Sequence, residues 1–569
     1  MTARTEGPLP EVVDLIVLGS GAGGLAAALT ASLEGLDCLL LEHRDKIGGT
    51  SALSSGTVWV PDNRAMRAAG HLDDRRAAES YLDALVGDRA TRPIWLAFLD
   101  AATRMQADLE DRAGIALSPF RTAPDYRQDL PGAGQGWRPM EPAVFDGRRL
   151  GEDFPALASP IRELTLFGGM MIARAEAQRI LGAPLAPASL AILARRTLRY
   201  GLDRLRWPRG TRLVMGNALV GRMLLAALDR GVHVRRAAVT RTILCVENRV
   251  SGVRVDTSDG PREIVARKGV VLAGGGFPAS AEWRQREMPQ PTPEYTPAAD
   301  GCVGRTIELA QEVGAALGPA MQDNALWFPS SVGTRKDGTT AVWPHIVLDR
   351  AKPGSIIVDS TGRRFANEAV SYHEFVRAMY RANTGGTSIP AWIICDADFL
   401  WRYGIGMIRP RTLRLSRHIA NGYLASAKTL DGLARRLGFP AGALEQTVAA
   451  FNGFAEAGRD MGFGRGDSVY DRSNGDPAHG PNPCLGPIRK APFYAVKLHP
   501  TPLGSSRGLA ADENARVLRQ DGSPVSGLYV CGNDMQSAFG GEYPGAGAQL
   551  GQAMTFGWIA ARHAAAASA

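Results

Sequence analysis

The chain has 569 residues, 45% of them hydrophobic and 21% charged, an ordinary globular composition with material for at least two domains. The formal net charge is +8, but the basic residues are dispersed among Asp and Glu. The densest basic stretch, Arg195 to Arg212, is interleaved with Leu, Tyr and Trp, so it reads as a solvated helix face and not as a nucleic-acid site.

Residues 1–13 read as a frayed leader without the features of a signal peptide. From Asp14 to Glu42 the sequence parses almost residue by residue. Leu15 to Leu18 is an apolar run suited to a parallel strand buried on both faces. Gly19, Gly21 and Gly24 then form a G-x-G-x-x-G turn: a tight bend, a close approach for a pyrophosphate, and close packing of the next helix. Leu25 to Leu33 is helical, Gly35 ends it, and Cys38 to Leu41 is the second strand. Glu42 stands where an acid binds adenosine ribose hydroxyls in such units. The combination predicts a dinucleotide site, with phosphates at the free N–H groups of the helix start.

The next segment, HRDKIGGTSALSSGTVWVP, is small, polar and rich in donors. It would pack poorly in a core and suits the wrapping of a pyrophosphate and a flavin edge. A helical pattern follows at about 65–120, a Pro- and Gly-rich loop from Pro119 to Phe154, and a second helical region at about 160–204 that includes LFGGMMIARAEAQRI. An amphipathic helix lies within TRLVMGNALVGRMLLAALDRGVHV, and strands are expected at about 232–236, 241–247, 250–257 and 263–272. The last of these runs into Gly274-Gly275-Gly276, a second place for the sheet to meet a cofactor. A nicotinamide enzyme would need a second complete phosphate-binding unit, and none is found. One non-covalently held FAD fits instead.

From about 316 to 496 the elements shorten and Trp, Pro and Gly rise, as for an inserted domain. The chain then returns through a strand at Leu528 to Cys531 and a helix from Gln549 to Ala560, before an alanine-rich tail. The expected fold class is α/β with an α+β insert. A Rossmann-like FAD-binding domain (1–315, with a helical insertion at about 65–204) is followed by a catalytic or capping domain (316–496), and 497–569 complete the first. The six cysteines stand singly, without C-x-x-C spacing, and no metal site is expected. No apolar run nears the ~20 residues needed to span a bilayer, and the expected location is cytoplasmic.

With these residues in view, the sequence resembles the FAD enzymes related to fumarate reductase flavoproteins and, within them, the 3-ketosteroid Δ1-dehydrogenases. GSGAGG, GGTSALSSGTVWVP and VVLAGGGFP carry the superfamily likeness, while RRFANEAVSYHEFVRAMY, GLYVCGN and EYPGAGAQLGQAMTFG narrow it. Dicarboxylate reductases of this group hold substrate with arginines. Here Tyr372 follows Asn367-Glu368 where an arginine would stand, and Asn533 to Phe556 contains no arginine.

The resemblance implies an active site of Tyr126, Tyr372, Tyr543 and Gly547. Tyr543 and the Gly547 N–H would bind the ketone oxygen, Tyr372 would remove the α proton, Tyr126 would hydrogen-bond to it, and flavin N5 would take the β hydrogen. A tyrosine of ordinary pKa, about 10, needs a neighbour that favours phenolate; Tyr126, His373 and Arg377 are the candidates. The cofactor contacts expected are Gly19, Ser20, Gly21, Ala22, Gly23, Gly24, Glu42, His43, Gly49, Thr50, Ser51, Ser54, Ser55, Gly56, Val239, Ala273, Gly274, Gly275, Asn533, Asp534, Gly547, Gln549 and Leu550. The implied substrate is a cyclic ketone, foremost a 3-ketosteroid, with an external electron acceptor such as a quinone. The alternatives are a desaturase or ene-reductase of another cyclic ketone, such as a cyclohexanone, and a fumarate-reductase-like flavoprotein.

Overall fold

The computed structural model describes residues 3–567 except 72, 91, 184, 347 and 348. Five strands form the parallel heart of an eight-stranded sheet: His233–Arg235, Cys38–Leu41, Val12–Leu18, Gly260–Leu272 and Pro524–Val530. Their register aligns Leu18 with Leu41 on one side and with Leu272 on the other, and Leu272 with Val530. The predicted cofactor segments after Leu18, Leu41, Leu272 and Val530 therefore leave the sheet along one edge, at its carboxyl ends, where open α/β sheets bind ligands. Antiparallel strands Arg249–Thr257 and Val239–Val246 extend the sheet outward.

The helix Ala22–Leu33 begins directly on Gly21, three residues earlier than the sequence reading, because glycine accepts the extended N-cap conformation. It lies against the C-terminal helix Ala548–Ala566 so closely that a Cβ on Gly557 would stand 2.4 Å from the Gly23 carbonyl oxygen. Glycine and alanine on both helices are what permit this approach.

A second sheet of six strands is antiparallel throughout. It is built on Phe493–Ser505, which pairs with Ala325–Thr334 on one side and Ala391–Cys395 on the other. Its last residue, Ser505, donates from Oγ to the Asn533 carbonyl at 3.2 Å, joining the second sheet to the carboxyl edge of the first. The helix Tyr372–Ala382 packs on Ala325–Thr334, where the Trp327 N–H donates to His373 Nδ1 at 3.3 Å.

Two readings of the sequence are corrected. The stretch read as a loop from Pro119 to Phe154 contains the strands Pro139–Pro142 and Phe145–Asp146 and a run of 3-10 turns from Gly147 to Ala156. The LFGGMM part of the second helical region is not helical. Leu166 and Met170 pair across a turn whose centre, Phe167 and Gly168, is left-handed (φ +50° and +77°). Helix resumes only at Arg174–Gly182 and Pro187–Asp203.

Candidate active site

At the first turn, Gly19 has φ +113°, and a Cβ there would lie 2.3 Å from the Ala273 carbonyl oxygen. Only glycine fits this bend, which sets the two neighbouring strand ends side by side. The N–H groups of Gly21, Gly23 and Gly24 meet no acceptor among the described residues, while Ala22 N–H donates to Ser51 Oγ at 3.0 Å. Free donors at a helix start suit a pyrophosphate.

Glu42 is buried and receives the Ser20 N–H (3.1 Å) and hydroxyl (2.5 Å) and the Arg44 N–H (2.9 Å), with His43 Nδ1 3.1 Å from its carboxylate. Burial acts to raise its pKa, but these donors prevail and hold the carboxyl below its ordinary value, so it stays an acceptor. Val239 follows Ala238, whose N–H donates to the Glu42 carbonyl at 3.0 Å. Glu42, His43 and Val239 thus gather at one end of this edge, where the ribose is expected.

The serine segment links this end to the last helix. Ser51 caps Ala22, Ser54 Oγ accepts from Gly56 N–H at 2.9 Å, and Thr57 lies against Gly547. Thr50 Oγ1 accepts from Ala299 N–H at 2.9 Å. Gly547 has φ +89°, and a Cβ on it would come within 2.5 Å of the Thr57 carbonyl oxygen. The N–H groups of Gly547, Gln549 and Leu550 have no acceptor among the described residues, so this helix too presents free donors at its positive end. Asp534, expected at the cofactor, accepts from Gly274 N–H (2.5 Å) and Gly276 N–H (2.7 Å). Its carboxylate shapes the Gly274–Gly276 turn from behind. Two separate helix starts with free donors, and an acid placed between two strand ends, fit an extended dinucleotide.

Asn533 Nδ2 donates to Gln549 Oε1 at 3.2 Å, and Gln549 Nε2 donates to the Tyr543 hydroxyl at 3.1 Å. This short chain connects two expected cofactor residues to an expected catalytic one. All three line one narrow cleft with Ser505, Ala548 and Leu326.

The three expected tyrosines meet, although they come from three distant parts of the chain. Tyr126, Tyr372 and Tyr543 stand pairwise with ring centroids 5.4 Å apart, and the hydroxyls of Tyr126 and Tyr372 are hydrogen-bonded at 2.8 Å. The Tyr126 loop is held by its neighbour Asp125, a buried carboxylate accepting from Trp59 Nε1 (2.8 Å), Gly134 N–H (2.9 Å) and Arg138 (2.5 Å). Tyr126 N–H and Tyr81 O–H both donate to the Pro544 carbonyl, at 2.9 and 2.7 Å, which fixes that loop against Tyr543. Tyr372 opens its helix behind the Ser371 N-cap.

Burial pushes all three phenols above their ordinary pKa, and for Tyr126 and Tyr372 the neighbouring tyrosines push further. Of the three neighbours named as possible phenolate partners of Tyr372, only Tyr126 hydrogen-bonds its hydroxyl. Burial, reinforced by Arg377, drives the His373 pKa well below its usual value, leaving a neutral ring. Arg377 is itself engaged by Asp323 (2.5 Å), Glu542 (2.7 Å) and Glu374 (3.1 Å).

Sequence reasoning missed Phe328, whose ring is 4.5 Å from Tyr372, and Tyr470, 5.1 Å from Tyr126. Neither sits in a recognisable motif. A larger open cavity of about 630 Å³ has Tyr126 on its wall, with Phe365 and Val370 beside charged Arg127, Glu374, Arg381 and Asp471, and it excludes the rest of the trio. Only Tyr126 of the three expected catalytic tyrosines reaches it.

Comparison with known proteins shows the family. The family model described as "FAD binding domain" matches residues 14–550. The chain is 36% identical over 572 residues to 3-oxosteroid 1-dehydrogenase of Mycolicibacterium smegmatis, covering 98% of each. It is 35% identical over 554 residues to 4-oxocyclohex-2-ene-1-carboxylate 5-dehydrogenase of Sinomonas cyclohexanicum, covering 96% of this chain and 93% of that one. It also superposes on 3-ketosteroid delta1-dehydrogenase from Sterolibacterium denitrificans, solved in complex with 1,4-androstadiene-3,17-dione, with a TM-score of 0.91 at 36% identity, covering 98% of this chain and 100% of that one. The chain belongs to this FAD-binding family, and it is a 3-oxosteroid 1-dehydrogenase-like, FAD-dependent oxidoreductase.

Proposed function

We propose that the enzyme introduces a C=C bond beside the carbonyl of a cyclic ketone, with a 3-ketosteroid as its substrate. The observation that carries this reading is the convergence of Tyr126, Tyr372 and Tyr543 beside the free N–H of Gly547. An α C–H of a ketone is acidic enough for a side-chain base only when its carbonyl oxygen is hydrogen-bonded as charge builds. Tyr543 O–H and Gly547 N–H are the donors for that oxygen. Tyr372 takes the α proton, and the hydrogen bond it shares with Tyr126 follows whichever oxygen carries the charge. Bound FAD supplies the hydride acceptor. The residues that hold it are those at the carboxyl edge of the first sheet, from Gly19 to Gly24, Glu42, the serine segment, Asn533 and the start of the last helix. In this reading 316–496 form the catalytic domain between 1–315 and 497–569, and electrons pass on to an external acceptor, with a quinone as the candidate.

A neutral substrate is favoured because Arg377 is saturated by carboxylates. A second reading, a cyclohexanone bearing a carboxylate, is favoured by the relative that acts on such an acid and by Arg174. That guanidinium stacks on Phe120, at the start of the Tyr126 loop, and is partly exposed, though paired with Glu141 at 3.0 Å.

The test is anaerobic bleaching of the flavin absorption band by a ketone panel. Bleaching by androst-4-ene-3,17-dione and none by 4-oxocyclohexanecarboxylate is expected; the reverse moves the substrate to the acid. Tyr543→Phe and Tyr372→Phe should each slow bleaching by about 10²-fold or more while retaining FAD. Near-normal rates in both would refute the roles given.

A further inference from the structure

We propose that the helical pair Arg174–Gly182 and Pro187–Asp203, with the turn that follows, seats this enzyme on an anionic bilayer surface. The longer helix carries its apolar stripe outward. Leu190, Ala194, Leu198 and Leu202 recur every four residues and all are exposed, Leu198 at 69% and Leu202 at 61%. Leu185 (84%) and Leu205 (84%) stand exposed just before and just after this helix, and Phe167 (66%) stacks on its Tyr200. Of 18 exposed large hydrophobic side chains among the described residues, eight fall between Leu164 and Leu205, so exposed hydrocarbon is concentrated in this one segment of the chain.

The inward side is held by polar groups where a soluble amphipathic helix would bury its leucines. Arg199 pairs with Asp146 at 3.1 Å, Arg196 with Glu176 at 2.6 Å, and Asp203 accepts from Thr211 N–H at 2.8 Å. The helix is docked by its charges and offers its hydrocarbon.

Charge identifies the occupant. No Asp or Glu stands between Glu176 and Asp203. Arg179, Arg195, Arg204 and Arg206 are exposed, and none has a carboxylate partner among the described residues. A second copy meeting this face about a twofold axis would bring arginines against arginines. Anionic headgroups around a leucine-rich centre are complementary to it. No helix among the described residues is long and apolar enough to cross a membrane, so the pair lies in the plane of the interface. Arg174, where the pair begins, stacks on Phe120, at the start of the loop that carries Tyr126.

The experiment is co-flotation of the full-length, FAD-loaded enzyme with vesicles of phosphatidylcholine alone or with about 30% phosphatidylglycerol, at low salt and at about 0.5 M. The enzyme should float with the anionic vesicles at low salt and be released by high salt. Leu198→Glu/Leu202→Glu/Leu205→Glu should lower the bound fraction at least about tenfold with an unchanged flavin spectrum. If that variant loses FAD, Arg179→Gln/Arg195→Gln/Arg204→Gln/Arg206→Gln carries the test, with about a fivefold drop in partitioning per arginine. Absence of flotation, equal flotation with neutral vesicles, or full binding by a flavin-loaded variant overturns the proposal. So does a wild-type dimer that the leucine variant dissociates without any vesicle binding, which would give the face to self-association.

Discussion

Arg377 and Glu542 form an ion pair, 2.7 Å between Nη1 and Oε2, with both side chains only 3% exposed. It ties the helix that begins at Tyr372 to the residue just before Tyr543. Arg377 also bonds Asp323 through Nε and the Gly541 carbonyl through Nη2, at 2.5 and 3.1 Å. Burial raises the pKa of Glu542 and Asp323, and the arginine opposes that in both. Arg377→Met leaves buried Asp323 without an ion pair and Glu542 with only the more exposed Arg89, a loss of roughly 3–5 kcal/mol. The temperature at which flavin fluorescence is released should fall, and turnover with it. Arg377→Lys should recover only part of both, because an ammonium keeps the charge but not the planar fork.

A second expectation concerns pH and rate. Tyr372 is pushed well above its ordinary value by burial and by Tyr126 and Tyr543, so at neutral pH the phenol is almost wholly protonated. If it is the base, kcat/KM should rise about tenfold per pH unit through the neutral range, since the phenolate fraction does so below the pKa. The measurement is a kcat/KM profile from about pH 6 to 10. A plateau reached before about pH 8 would speak against Tyr372 as the base.

Two glycines with similar backbones should respond differently to a methyl group. Gly35 (φ +82°) and Gly547 (φ +89°) are both left-handed. A Cβ on Gly35 meets nothing within 4 Å, whereas one on Gly547 meets the Thr57 carbonyl oxygen at 2.5 Å. Gly35→Ala should cost about 1 kcal/mol of conformational strain and leave FAD content and turnover intact. Gly547→Ala must push the last helix off the serine segment, with loss of turnover and weaker FAD retention on gel filtration.

The contrast shows what kind of information the sequence carries. The stretch Asp14–Glu42 is legible because strand, turn, helix and acid lie within one continuous segment, and the observed Val12–Leu18 and Cys38–Leu41 strands fall within a few residues of the reading. The trio of tyrosines was reachable through family motifs alone, since Tyr126 and Tyr372 are 246 residues apart. Phe328 and Tyr470 reach the same cluster through the second sheet and the distant short helix Val469–Asn474, and nothing local marks them. The sequence places Pro187–Asp203 within a helical region but cannot say which side of the helix faces inward. The basic stretch read as a solvated face proves to have leucines outside and several of its arginines bound within.

The last expectation is an acid limb of stability traceable to one histidine. His499 lies on the Phe493–Ser505 strand, and burial, aided by Lys497, lowers its pKa to about 4. In the unfolded chain it returns to about 6.5, so above that pH neither state holds the proton and the folded protein carries no penalty. As pH falls from about 6.5 toward about 4, the unfolded state takes up a proton that the folded state refuses, and stability drops through this window. The upper bound is about 3 kcal/mol, reduced by the solvent that reaches the ring. Other acid-sensitive groups contribute equally to wild type and His499→Gln, so the difference between the two isolates this residue. Unfolding temperatures followed by flavin fluorescence should differ by a constant amount at pH above about 7 and then shift in favour of His499→Gln as pH is lowered to about 4.5. A difference that stays constant over the whole range would mean that His499 titrates normally in the folded protein, and that the strand around it admits water.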